Sequence, residues 1–158
     1  MKEIRDSRNH RSGTQHEGAT QWNTHAIRVL SKIGRRYPVL TAWLMFLGMD
    51  LSARFRGFGA VYGFVRNWPT PSGRIMPSQI EAIASAVDKA SVFYLHRILC
   101  LQRSIATALL LRAHGFPAHV VIGFRAFPSS GHAWVEVQGS VVGGHQILRQ
   151  RYREIDRL

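Results

Sequence analysis

Cys100 is the single cysteine in a chain of 158 residues that also carries eight histidines. It heads the run CLQRSIATALLLRAHG, a helical pattern that stops at Gly115. A thiol in the first turn of a helix feels the positive end of the helix dipole and the unpaired backbone amides. Both favour the thiolate, the nucleophilic form. Arg97 and Arg103 lie close by in sequence and add positive charge. A cysteine nucleophile works with a histidine base held in place by a third group. His10, His16 and His25 lie in a polar N-terminal region, His96 precedes the cysteine helix, and His114 adjoins Gly115 at its far end. His119 opens a strand and His145 follows a Gly-Gly pair. His132 alone sits on a strand that starts directly after a Ser-Ser-Gly turn downstream of Cys100. Cys100 and His132 are therefore the candidate nucleophile and base of thioester chemistry. The ordinary alternatives are a small buried hydrophobe for Cys100 and a strand histidine satisfied by its neighbours for His132.

The elements that must position these two residues follow from the patterning. Residues 1–21 are polar and read as a tail, and a short helix fits 22–36, with Ile27, Leu30 and Ile33 at helical spacing. Residues 1–36 are thus set apart from a domain over 37–158. Pro38 suits the first turn of a helix, VLTAWLMFLGMDLSARF, that is apolar nearly all round and expected to be buried. Its Met45, Phe46, Leu47 and Met49 read as core. Gly57, Gly59 and Gly63 break the helical segment that follows, and PTPSG is a loop. Ser78, with Glu81 three residues on, reads as a capping box for the next helix. After the Cys100 helix, Gly115 and Pro117 prevent continuation. The period then changes. AHVVIGFRAF and HAWVEV read as strands, Gln138-Gly139 as a two-residue turn, and SVV as a third strand. Trp134 falls on the same strand face as His132 and Glu136 and reads as a core side chain. ILRQRYREIDRL reads as a short basic amphipathic helix or tail. Helices first and a small antiparallel sheet after make an α+β domain, with the cysteine helix at the junction.

Composition narrows the function classes. An apolar content of 46% suits a globular domain. One cysteine excludes an internal disulfide and a multi-cysteine zinc site, so no metal or other cofactor is expected. A reducing setting, the cytoplasm, is the expected location. The N-terminus has no secretory h-region, and the run from Tyr37 to Met49 is too short to span a bilayer. The formal charge of +12 reads first as a solvated basic surface, second as a surface for an acidic peptide and third as one for nucleic acid.

CLQRSIATALLLRAHGFPAHVVIGFR followed by GHAWVEVQG resembles the transglutaminase-like family of lasso peptide maturation proteases. Helix-borne cysteine followed by strand-borne histidine is also the order used by papain-like enzymes. The resemblance extends over roughly residues 38–158, including the closing Arg-Tyr-Arg, and is most specific over 100–139. It implies a cysteine protease with Cys100 as nucleophile, the Cys100 backbone amide in the oxyanion site, and His132 as base. It also implies removal of a leader from a ribosomally made lasso precursor peptide. The partners it implies are a leader-recognition protein, expected here as a separate chain, and an ATP-dependent cyclase that closes the macrolactam. No nucleic-acid partner is expected.

One departure stands out. Where the family carries an aspartate that orients the histidine, this chain reads VVGGHQ, and the aspartate position falls on Gly144. With Gln138-Gly139 as the turn, Val137 faces Ser140 and His132 faces His145, so the third group belongs near 144–146. Gln146 is the candidate there, through its amide oxygen, and His145 the weaker one. Glu136 lies four residues along from His132, roughly 13 Å by strand rise, and is too far to orient it. A second hypothesis keeps the fold and makes the protein a weak or inactive scaffold that holds the precursor for a partner enzyme. Acyl transfer to an amine is a third outcome of the same thioester.

Overall fold

The computed structural model describes residue 29 and residues 31–144 and 146–158. The expected tail at 1–21, most of the helix expected over 22–36, and His145 lie outside the described residues. Residues 31–36 are helical.

Helix α1, Pro38–Arg56, starts with its proline in the first turn, where the missing N–H is not needed. Gly57, at φ 76°, ends it and turns the chain into α2, Phe58–Arg66. Helix α3 spans Pro77–Val92. Ser78 is not its cap: Pro77 takes the first helical position, so Met76 becomes the N-cap, with no side-chain capping bond. Helix α4, Cys100–Ala113, is buried almost all round, between α1 and α3 on one side and the sheet on the other. Gly115, at φ 92°, supplies the left-handed residue that ends it.

Strands β1, Ala118–Arg125, and β2, Ser130–Val137, are antiparallel, and β3, Ser140–Val142, pairs with β2 in the expected register, Val137 opposite Ser140. Gln138 and Gly139 both take positive φ, as the two-residue turn requires. The C-terminus departs from expectation. A single helical turn, α5, Leu148–Arg151, leads into a fourth strand, β4, Arg153–Arg157. This strand pairs antiparallel with β1, giving the order β3-β2-β1-β4. Its Arg-Glu-Ile-Asp-Arg sequence hides it, because an exposed edge strand carries charge rather than an apolar alternation.

The main core lies between the helices and one face of the sheet, around Phe46, Val65, Val87, Ile105, Leu110 and Val120. Phe46 and Met49 are buried as expected, and Met45 and Leu47 pack against the core from partly buried positions. Helix α1 as a whole is not enclosed: Leu40, Leu44, Leu51 and Phe55 are exposed. It lies at the outside of the helical layer, so only one stripe meets α3 and α4. Trp134 joins a smaller cluster on the opposite sheet face, with Val121 and Val141. Arg112, a buried cation with its pKa pushed down by burial, donates to the carbonyls of Ala118, Val65 and Trp68, and so joins α4, β1 and the end of α2.

Candidate active site

The chain path brings the two candidate residues to one end of the domain. Helix α4 rises about 20 Å from Cys100. Gly115 reverses the chain and β1 descends by about 25 Å. The turn at 126–129 reverses it again, so β2 starts at the Cys100 end and runs alongside α4. A cleft of about 60 Å³ opens there beside the edge of β2 that the short β3 leaves unpaired, between α3, α4 and the segment around 143–148. Arg103, Ser104 and Thr107 of α4 line it, with Asp88 of α3, His132 and Trp134 of β2, and Gly144. Arg103, Ser104 and Thr107 follow Cys100 at i+3, i+4 and i+7, so the thiol heads the stripe that faces β2. Cys100 is half-buried and sits one turn beyond the residues that line the cleft.

The start of α4 is held by a polar hub that sequence reading missed. Leu99 is the N-cap residue, and its N–H donates to Gln102 Oε1 at 3.0 Å. Gln102 Nε2 donates to Asp50 Oδ1 at 2.7 Å, and Tyr94 Oη donates to Asp50 Oδ2 at 2.6 Å. His96 Nε2 lies 3.0 Å from the same oxygen. Burial and the Asp50 carboxylate push the Tyr94 hydroxyl up to about 12. Side chains from α1, the 93–99 loop and α4 thus meet on one carboxylate. The first backbone amides of α4, including that of Cys100, have no partner within the helix.

His132 is half-buried, and its pKa is pushed down first by burial and then by the charge of Arg103. The neutral imidazole, the form that accepts a proton, is therefore favoured. Its ring lies 5.5 Å from that of Tyr152, which in turn lies 6.3 Å from Trp134. Arg125 covers Tyr152 at 5.4 Å from the ring centroid. Gly123, opposite His132 in the β1–β2 register, leaves space for this aromatic group: a Cβ there would stand 2.7 Å from the Trp134 ring and 2.9 Å from Tyr152 Cβ. Trp134 Nε1 donates to Glu136 Oε1 at 2.9 Å. Glu136 is 2% exposed and also meets Arg157 at 3.0 Å and Arg149 at 3.3 Å. The carboxylate excluded on distance as an orienter of His132 is engaged in this network instead.

Gln146 is exposed in the turn before α5, and its carbonyl accepts from the Arg149 N–H at 3.3 Å. It does not line the cleft. Gly144 does, so the place of the missing aspartate faces the same space as His132. Among the described residues the carboxylate lining this cleft is Asp88, which pairs with Arg103 at 3.4 Å. Its sequence signal was weak, since a lone aspartate on an amphipathic helix reads as solvated surface. Among the described residues no group of three or more metal-ligating side chains occurs, and no helix is long and apolar enough to cross a membrane.

The model of the transglutaminase-like superfamily matches residues 45–157. The chain belongs to this superfamily. The match takes in α3, α4 and the whole sheet, and with them both Cys100 and His132. The chain is also 38% identical over 52 residues to the microcin J25-processing protein McjB of Escherichia coli. That stretch is 33% of this chain and spans 25% of the relative's length. No solved structure matches.

Proposed function

We propose that this superfamily member is a cysteine peptidase of lasso peptide biosynthesis that removes the leader from a ribosomally made precursor. The single observation that carries the reading is the cleft that His132 shares with Arg103 and Ser104, one turn along α4 from Cys100, in a transglutaminase-like domain. The match to a protein named for microcin J25 processing points to the same kind of substrate. In the proposed reaction Cys100 Sγ attacks the scissile carbonyl while His132 takes the thiol proton. The amides at the start of α4 receive the developing oxyanion. The C–N bond then breaks, His132 returns the proton to the leaving amine of the core peptide, and the leader stays on Cys100 as a thioester. Water hydrolyses the thioester, releasing the leader carboxylate and the thiol. The freed amine is the group a macrolactam-forming, ATP-dependent cyclase would consume. A leader-recognition protein on a separate chain and a cytoplasmic location complete the reading. The orienting role of Gln146 belongs to it as well and requires the 144–147 turn to bring the amide to the ring.

A second reading, a precursor-holding scaffold of the same fold, draws on Gly144 in place of the aspartate and on Cys100 lying outside the cleft that His132 lines. Loss of the orienting acid costs about 10⁴ in rate where the wrong tautomer results. The two readings separate on one experiment. The precursor is incubated with recognition protein and cyclase, with wild type or Cys100→Ala, and followed by mass spectrometry. Leader release by wild type alone supports the peptidase. A precursor left intact by both makes the protein a scaffold.

A further inference from the structure

The loop joining α3 to α4 is anchored from below and apolar above. Tyr94, only 8% exposed, packs edge-on against Trp43 and Phe46, each at 5.5 Å between centroids. Tyr94 and His96 both meet Asp50. These anchors hold the backbone so that the side chains around them point outward: Val92, Phe93, Leu95 and Leu99 are 77%, 76%, 76% and 62% exposed. Isolated surface aliphatics are ordinary, but four large apolar side chains within eight residues form a patch, and such patches mark binding surfaces. The patch runs up to the thiol, because Leu99 is the residue before Cys100 and the N-cap of its helix.

Charge selects the occupant. Arg97 is exposed within the same loop. Arg54, also exposed, follows Asp50 by one turn of α1. The carboxylates nearby are already engaged, Asp50 by three donors and Asp88 by Arg103. The chain as a whole carries +12. We propose that this patch docks the peptide substrate, as an apolar segment with acidic neighbours laid across Phe93 and Leu95, so that its scissile carbonyl arrives at Cys100. The proposal rests on the peptidase reading for the identity of its ligand.

The test uses the thiol as reporter, since it is the only one in the chain. Iodoacetamide alkylation of Cys100 is followed by intact mass, with and without three synthetic peptides: one rich in Leu, Phe and Glu, one in Ser and Glu, and one in Leu, Phe and Lys. The reading is the ratio of rates with and without peptide, which cancels any change in intrinsic thiol reactivity. The Leu/Phe/Glu peptide is expected to protect Cys100 in wild type. In F93S/L95S, protection should require about tenfold more peptide. Phe93 and Leu95 are exposed, so the variant should melt with wild type, and L95S alone serves if it does not. The proposal is overturned if F93S/L95S is protected as well as wild type. It is also overturned if the Lys peptide protects equally, or if wild type is a dimer that F93S/L95S converts to a monomer, since the patch then serves self-association. Protection without precursor cleavage leaves the docking surface standing and removes the peptidase reading. Cleavage of the precursor with an unchanged KM in F93S/L95S does the reverse.

Discussion

Asp50 sits where three segments meet, so its removal should be felt both in stability and at Cys100. In Asp50→Ala the Tyr94 hydroxyl and the Gln102 amide lose an ionised acceptor at 2.6 and 2.7 Å. Hydrogen bonds to charged groups contribute about 1.5–3 kcal/mol each. The carboxylate is 23% exposed, so water re-solvates part of the site and the lower half of that range applies. His96, with 60% of its side chain exposed, adds little, as surface pairs do. The expected loss is about 3 kcal/mol, or about 6–12 °C in Tm for a chain of this size. Urea unfolding gives the first quantity, with the slope unchanged. Tyr94→Phe alone should cost about 1–2 kcal/mol, and much less in the Asp50→Ala background, because the two residues share one bond. Release of Gln102 also frees the Leu99 N–H, so the iodoacetamide rate at Cys100 should change in Asp50→Ala and stay near wild type in Tyr94→Phe. A loss below about 1 kcal/mol with an unaltered alkylation rate would refute the view that this hub holds the start of the cysteine helix.

Gly123→Ala should cost about 2 kcal/mol by urea unfolding, since its Cβ meets a Trp134 ring pinned by Glu136 and the Cβ of Tyr152; stability equal to wild type would contradict this packing. Glu136→Ala leaves the buried Trp134 N–H without its acceptor and takes one of two carboxylate partners from Arg157. A loss of about 2–3 kcal/mol is expected, with quenching or a shift of tryptophan fluorescence. Arg103→Gln removes the positive charge that helps push the His132 pKa down, so the His132 ring resonance should titrate at higher pH than in wild type and still below 6.5, because burial, the larger cause, persists. His132 and His119 both have lowered pKa values, so the unfolded chain binds more protons than the fold below pH 6.5. Stability should fall as pH drops from 6.5 through their folded values, and less steeply in His132→Gln. At the alkaline end, Tyr94 at about 12 adds stability that is full below pH 10 and lost as pH rises through 12, a loss absent in Tyr94→Phe.

Much of the architecture was legible because it is local. Pro38, Gly57 and Gly115 act through their own backbone preferences, so the starts and ends of α1, α2 and α4 follow from single residues. The Gln138-Gly139 turn fixed the β2–β3 register for the same reason. Ser78 misled because Pro77, one residue earlier, already satisfied the helix start by another route. Helix α1 misled because composition tells how apolar a helix is and not which side its neighbours cover.

The residue types of the candidate site, a lone thiol at a helix start and a histidine at a strand start, are properties of sequence. So is the lack of a carboxylate at 144–146. Tertiary structure alone decided what surrounds them. β4 appears only when β1 has an open edge to pair with. Glu136 is committed to Trp134, Arg149 and Arg157 by contacts that join the end of β2 to the C-terminus. Asp88 enters the His132 cleft from α3, and Asp50 reaches the start of α4 across 52 residues of chain. Such contacts are set by packing between elements distant in sequence, and no local propensity or spacing encodes them.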